Sequence, residues 1–390
     1  MTRQPSATSK TGLILMGGGA RAAYQVGVLD ALHSIRLANG CPADTNPFQV
    51  ICGTSAGAIN AAALAAASDR YGEAIQQILS VWSGFDPSQV YRTDAAGALR
   101  NAAHWVATLG LGWMIKSQPR SLFDNSPLTD LLQQMIDFAR LERAFENGSV
   151  DALAITVSSY TSGQHVTYYQ SRAEIAPWFR TQRLSVRSRI TLEHLLASSA
   201  IPFVFPAVRL KLNGRDEYFG DGTIRQTAPI SPAIHLGAQR VLVIGVGQVQ
   251  TGRVNADHTG SQFTYPSLAQ ISGHALSSIF LDALANDVER LNRVNHTLEL
   301  IPEPARRESG LRPVDVLVIS PSQRLDQIAI RHAKRVPLTV RTMLAALGAT
   351  DSRGAGLMSY LLFESGYTRD LIALGRKDTL ARRDEVIAFF

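Results

Sequence analysis

Cysteine is scarce in this chain: Cys41 and Cys52 are the only two among 390 residues. A disulfide framework is therefore excluded as an organising principle, and with Cys52 inside an apparent strand the expectation is a pair of reduced thiols. Long hydrophobic runs are missing as well. No stretch reaches the roughly 18 uncharged apolar residues that cross a bilayer, and the opening MTRQPSATSKTG has no apolar secretion-signal core. The expectation is a soluble, cytoplasmic protein. Nor is there a strong excess of one charge: 38 Lys and Arg stand against 32 Asp and Glu, a net +6. That mild balance suits an anionic membrane or an acidic partner, and no nucleic-acid partner is expected. Metal-ligand spacings of His, Cys and carboxylate are absent, so no metal or cofactor is expected. What remains is globular in composition, 45% apolar and 18% charged. The length allows one elaborated α/β domain or two ordinary ones.

The first half alternates strand and helix signals. GLILM at 12–16 precedes a helical pattern with Val26, Leu29, Leu32 and Ile35 on one face, then FQVIC at 48–52 precedes an alanine-rich helix at 56–67. This is the rhythm of a parallel sheet covered by helices. Helical patterns dominate from Tyr71 to Arg140, with Ser126 read as a cap before Pro127. DALAITVSS and QHVTYYQ read as two strands, and a helix follows near 191–197. Asn213-Gly214 between AVRLKL and RDEYF is a strong hairpin signal. VLVIGVG from Val241 is a further strand, a helix is expected from about 267 to 294, and VDVLVIS from Val314 reads as the last strand before a helical tail. Residues 248–265, rich in small and polar types, are the best candidate loop.

Two stretches carry chemistry. In FQVICGTSAGAIN, the pattern GxSxG lies between an apolar strand and a small-residue helix, the setting of a nucleophile elbow: Gly53 and Gly57 let the backbone turn sharply and expose Ser55. A capping role for Ser55 explains the serine but not both glycines. GLILMGGGARA ends its strand in three glycines, Gly17, Gly18 and Gly19. A dinucleotide fingerprint would want a carboxylate at the end of the second strand, where Cys52-Gly53-Thr54-Ser55 stands, and no GK[ST] follows for a phosphate loop. The glycines read instead as an oxyanion hole, each donor typically contributing about 3 kcal/mol to a transition state. Arg21 suits either a substrate phosphate or support of the loop. A serine hydroxyl needs a base. YFGDGTIRQTAP supplies Asp221 between two glycines, which in isolation would be an ordinary turn aspartate.

Taken together, GGGARAAYQVGVLDAL at 17–32, GTSAGAIN at 53–60, SLFDNSPLTDLL at 121–132, ASSAIPFVFPAV at 197–208 and YFGDGTIRQTAPISPAIHLGAQRVLVI at 218–244 resemble the patatin-like phospholipase family. The resemblance implies a three-layer α/β/α fold with a mostly parallel central sheet. It also implies a Ser-Asp dyad that hydrolyses phospholipid or other fatty-acyl esters without a catalytic histidine or a cofactor. On this resemblance Ser55 is the nucleophile and Asp221 the base. Backbone amides of Gly17, Gly18 and Gly19 are the oxyanion donors, and Arg21, Gly53, Gly57 and Gly222 support the motifs. Two positions depart from the family pattern, Ala22 and Thr223, the latter adding a hydroxyl beside the base. An aspartate with an ordinary pKa of about 3.9 is a poor base, so burial must raise it.

Two other readings stand beside this one. A Ser-Asp-His esterase or thioesterase would draw its third member from His235, His258, His274, His296 or His332, with His332 best by chain order. A non-catalytic lipid-binding protein could keep the same fold. Peripheral membrane contact has two candidate elements: the apolar segment from Ala95 to Ile115 with Trp105 and Trp113, and Arg180, Arg183 and Arg187. Core packing and a solvated basic face explain them equally well. The expected organisation is a disordered tail at 1–10, a catalytic core at 11–250, and a largely helical part at 251–390 packed on or beside that core.

Overall fold

The computed structural model describes residues 9–92, 121, 123–248, 268–335 and 355–390. Most of the expected tail, the apolar segment 95–115 and nearly all of the loop 248–265 lie outside the described residues.

The sheet is built around β1 (Thr11–Leu15), whose five residues are all buried. It pairs in parallel with β2 (Val50–Thr54) on one side and β9 (Arg240–Ile244) on the other, and β10 (Asp315–Ile319) continues the parallel set beyond β9. Strands covered on both faces must be apolar throughout rather than alternating, which is what TGLIL and VICGT provide. Leu13 and Leu15 face one core, shared with helices α1 (Ala23–Ala38), α2 (Ala56–Ala66) and α3 (Tyr71–Ser83). Ile14 and Met16 face a second core with Ala233, Leu236 and Leu284. The result is a mixed, mostly parallel sheet between two helical layers.

β3 (Ala152–Ser159) does the decisive positioning. Its first five residues pair in parallel with β2, ending at Thr54 opposite Thr156. Its last three pair antiparallel with β8 (Arg215–Asp221), beginning at Asp221 opposite Val157. One edge of β3 thus carries two strands end to end, and the residue after Thr54 meets the residue that closes β8. β8 arrives from β7 (Val208–Leu212) through Asn213 and Gly214, both at positive φ (50° and 80°), the backbone a tight primed hairpin turn demands.

On the other edge of β3, β4 (His165–Ser171) runs antiparallel, followed by β6 (Arg183–Arg187) and the two-residue β5 (Phe179–Arg180). The three arginines of the basic face therefore lie on strands, with Arg180 opposite Arg183 and Arg187 ion-paired with Glu174 at 3.8 Å. Three- and four-residue spacing holds no information about a strand this short, because Gln182 reverses the chain at φ 58° between Arg180 and Arg183. Ser126 is the first residue of the helix Ser126–Met135 rather than its cap, and its N–H is taken by Asp124 Oδ1 at 2.9 Å. Cys41 and Cys52 are free thiols, and burial pushes that of Cys52 upward in pKa.

The C-terminal helix Ser365–Ala381 packs on α1 with backbones in close approach. A Cβ on Gly27 would overlap the carbonyl of Ile372, and one on Gly375 the carbonyl of Tyr24. Tyr24 Oη donates to Asp378 Oδ2 at 3.0 Å, and Arg376 is ion-paired with Asp30. Because the neighbours of Gly27 at that position are backbone atoms of Ile372 and cannot rotate away, Gly27→Val is expected to destabilise the protein by roughly 3 kcal/mol, seen as a lower urea midpoint. An unchanged midpoint would show that the two helices are not closely docked in solution.

Candidate active site

Ser55 stands between β2 and α2 at φ 56° and ψ −131°, a conformation that costs a non-glycine residue on the order of 1–3 kcal/mol. Its flanking glycines are sterically required. A Cβ on Gly53 would come within 2.5 Å of Ala58 Cα, and one on Gly57 would overlap the carbonyl of Leu15. The turn is pinned from outside as well: Ser55 N–H donates to Ser198 Oγ at 2.8 Å, and Ser198 Oγ–H donates to Thr156 C=O at 2.7 Å.

The end-to-end arrangement of β2 and β8 brings Ser55 Oγ to 2.5 Å from Asp221 Oδ2, as donor to the carboxylate. Both side chains are buried, each 1% exposed. The second oxygen, Oδ1, accepts from Thr223 N at 2.9 Å and Thr223 Oγ1 at 2.7 Å. Burial raises the Asp221 pKa from 3.8 to about 6, against the opposing pull of the hydrogen bonds from Ser55 and Thr223. The carboxylate is thus mostly ionised at neutrality yet close enough to its pKa to accept and return a proton.

The glycine run comes directly against this pair. A Cβ on Gly17 would overlap Thr223 Cγ2 and approach Ser55 Cβ to 3.0 Å. Gly19 takes φ 54° and opens the short 3₁₀ turn Gly19–Ala22. Among the described residues, none accepts a hydrogen bond from the backbone N–H of Gly17, Gly18 or Gly19. Gly17 packs against Ser55, Gly19 lines the same cavity, and Ser55 itself stands at the N-terminus of α2, whose dipole favours negative charge. Gly222, the first residue after Asp221, has no room for a Cβ beside the carbonyl of Thr156.

Ser55 and Gly19 open into an apolar cavity lined by Ile59, Trp82, Phe85, Leu132, Phe205 and Phe363. No histidine lines it, and none is hydrogen-bonded to Ser55 or Asp221 among the described residues. His332 instead holds Asp370 Oδ2 at 2.9 Å, His235 stacks on Trp178, and His296 sits 3.6 Å from Glu299. His258 and the side chain of His274 lie outside the described residues. Arg21 is buried and does not line the cavity. The Thr223 hydroxyl lies beside the base as its departure from the family pattern suggests, whereas its N–H contact and the role of Ser198 are not legible in the sequence. A serine among apolar residues at a helix end, in ASSAIP, was the available signal for Ser198.

Residues 13–234, more than half of the chain, match the family profile described as patatin-like phospholipase. Among solved structures, the chain is similar to VipD from Legionella pneumophila at 15% identity and a TM-score of 0.37, over 94% of this chain and 67% of that one. No curated protein matches it.

The Asp221 pKa has a consequence for stability with a definite sign. Between pH 3.8 and about 6 the folded state keeps a proton that the unfolded chain has lost, so the contribution of this group falls as pH rises and stays lost above that window. Asp221→Asn cannot ionise. It is expected to gain on the order of 2 kcal/mol relative to wild type at pH 8 compared with pH 3, read from urea unfolding at both values. An identical difference at the two pH values would remove buried ionisation as the cause.

Proposed function

This chain belongs to the patatin-like phospholipase family, and from that premise we propose that it is a serine lipid acyl hydrolase acting through Ser55 and Asp221. The observation that carries the reading is the 2.5 Å hydrogen bond between two buried side chains, with the serine donating. In this reading Ser55 Oγ attacks the acyl carbonyl as its proton passes to Asp221 Oδ2. The tetrahedral oxyanion is met by amides of Gly17, Gly18 and Gly19. Asp221 then protonates the departing alcohol; water next attacks the acyl-enzyme carbonyl as its proton passes to Asp221, which returns a proton to Ser55 Oγ as the fatty acid leaves.

The surroundings support a lipid substrate. The cavity beside Ser55 is lined almost wholly by aliphatic and aromatic side chains, fitting an acyl chain better than a peptide or sugar. Thr223 has a definite job here: its two hydrogen bonds keep Oδ1 occupied, leaving Oδ2 as the oxygen that exchanges the proton with Ser55. No helix among the described residues is long and apolar enough to cross a membrane. A histidine triad is not favoured, because among the described residues Ser55 Oγ donates directly to Asp221 Oδ2 and the other carboxylate oxygen is taken by Thr223.

The test is a panel of phospholipids, lysophospholipids and simple fatty-acyl esters. Ser55→Ala is expected to lose about 10³-fold or more in kcat/KM, and Asp221→Asn at least about 10²-fold. Fluorophosphonate labelling should map to Ser55. A wild-type protein that is folded, inert toward the whole panel and unlabelled would make the fold a binding scaffold instead.

A pH profile tests the base separately. Wild-type kcat/KM is expected to fall on the acid side below about pH 6, as Asp221 takes up its proton. Thr223→Val removes one donor to the carboxylate while keeping the shape, so the acid limb should move to higher pH. Movement to lower pH would contradict the assignment.

A further inference from the structure

Arg21 follows the glycine run, and its side chain turns away from the cavity into the protein. Nε donates to Ser359 Oγ at 2.8 Å and Nη1 to Tyr360 Oη at 3.1 Å, while the guanidinium carbon lies 4.0 Å from the centroid of the Tyr360 ring. These partners are 338 and 339 residues away in sequence. Both are neutral. The carboxylate of Asp326 interacts electrostatically with Arg21 but is hydrogen-bonded to Arg324, and a buried guanidinium whose own hydrogen-bond partners are neutral is still a poor way to gain stability, since an apolar side chain of similar volume would avoid the desolvation. The arrangement calls for another reason.

That reason lies in what Arg21 is attached to. Arg21 N–H donates to Gly18 C=O at 3.1 Å, closing the turn that presents the glycine amides. On the outer side of the same turn, Gly19 fits against the backbone of Tyr360, whose carbonyl a Cβ would overlap. The helix Ala355–Leu361 that carries these groups is itself tied down. Tyr91 Oη donates to Leu361 C=O at 3.2 Å and Tyr367 Oη lies 3.4 Å from the carbonyl of Ser359, while within the helix Ser359 Oγ donates to Gly356 C=O at 2.6 Å. The glycine turn therefore leans on a braced wall and is bolted to it through one side chain.

Building on the hydrolase reading above, we propose that Ser359 and Tyr360 are positioning residues for the oxyanion loop, acting through Arg21. This segment lies well beyond the 13–234 family match, so part of the catalytic geometry is held by a portion of the chain outside that match. Ser359 and Tyr360 touch neither the substrate nor the reacting atoms in this account. They fix the direction in which the amides of Gly17 to Gly19 point, and misplacement by about an ångström at such a site can cost on the order of a hundredfold in rate.

The experiment compares wild type with Ser359→Ala, Tyr360→Phe and Arg21→Lys in the full-length chain, using the best ester of the panel. Two inhibitors separate positioning from simple structural damage: a fatty-acyl trifluoromethyl ketone, whose adduct with a serine bears a tetrahedral oxyanion, and oleate, which fills the acyl cavity without one. Folded variants are expected to lose roughly ten- to hundredfold in kcat with KM little changed. Trifluoromethyl ketone affinity should fall in parallel, and oleate inhibition should stay as in wild type. Arg21→Lys, which keeps the charge but not the forked geometry, should fall with the other two rather than rescue them. Should Arg21→Lys fail to fold, the milder Ser359→Ala and Tyr360→Phe variants decide the matter. Wild-type kcat and ketone affinity in folded variants would overturn this inference alone, as would equal losses for ketone and oleate. A wild-type enzyme inert toward every ester and unlabelled at Ser55 would remove the hydrolase reading beneath it.

Discussion

The structure depends on one shared edge. β3 is long enough to carry β2 along its first part and β8 along its last, and the two meet with no residue of β3 between them: Thr54 is opposite Thr156 and Asp221 opposite Val157. Strand pairing fixes positions to within the hydrogen-bond ladder. A serine one residue past the end of β2 and an aspartate at the end of β8 are therefore held together by backbone geometry before their side chains interact. The 2.5 Å hydrogen bond between them follows from that placement.

Only the environment makes this pair chemically useful. A carboxylate in water would be too weak a base for a serine hydroxyl, and a carboxylate buried without partners would stay protonated. At Asp221 the two tendencies oppose each other. Burial drives the pKa up, while hydrogen bonds from Ser55 and from the N–H and hydroxyl of Thr223 draw it down, with the balance near 6. The departure from the family pattern at position 223 is thus part of the tuning. Such a site does not need an imidazole to relay the proton, because the carboxylate already touches the hydroxyl.

Much of this was legible in the sequence because local sterics leave a mark on residue type. Gly53 and Gly57 are glycines because no Cβ fits there, Asn213-Gly214 because both φ values are positive, and TGLIL is unbroken because both its faces are covered. Strand–GxSxG–helix and DG after a hairpin could accordingly be read as parts of one site. What escaped has no local signature. The short strands Phe179–Arg180 and Arg183–Arg187 are defined by the neighbour they join, not by their own pattern. Ser198 gains its role only by lying beneath Ser55, and Arg21 only by meeting Ser359 and Tyr360 across most of the chain. Contacts made by a single side chain over such separations leave no periodicity to find.

The separations themselves bear on when the proposed site can be assembled. Ser55 and Asp221 are 166 residues apart, and the brace on the glycine turn comes from residues 338 and 339 positions after Arg21. During synthesis the amino-terminal segment emerges first, so a nascent chain displays its serine long before the aspartate exists and longer still before the wall behind the glycines is made. Incomplete, truncated or misassembled copies consequently lack the geometry for acyl transfer. On the reading proposed above, the topology itself would act as a safety catch, released only when segments from Gly17 to Tyr360 have found their places.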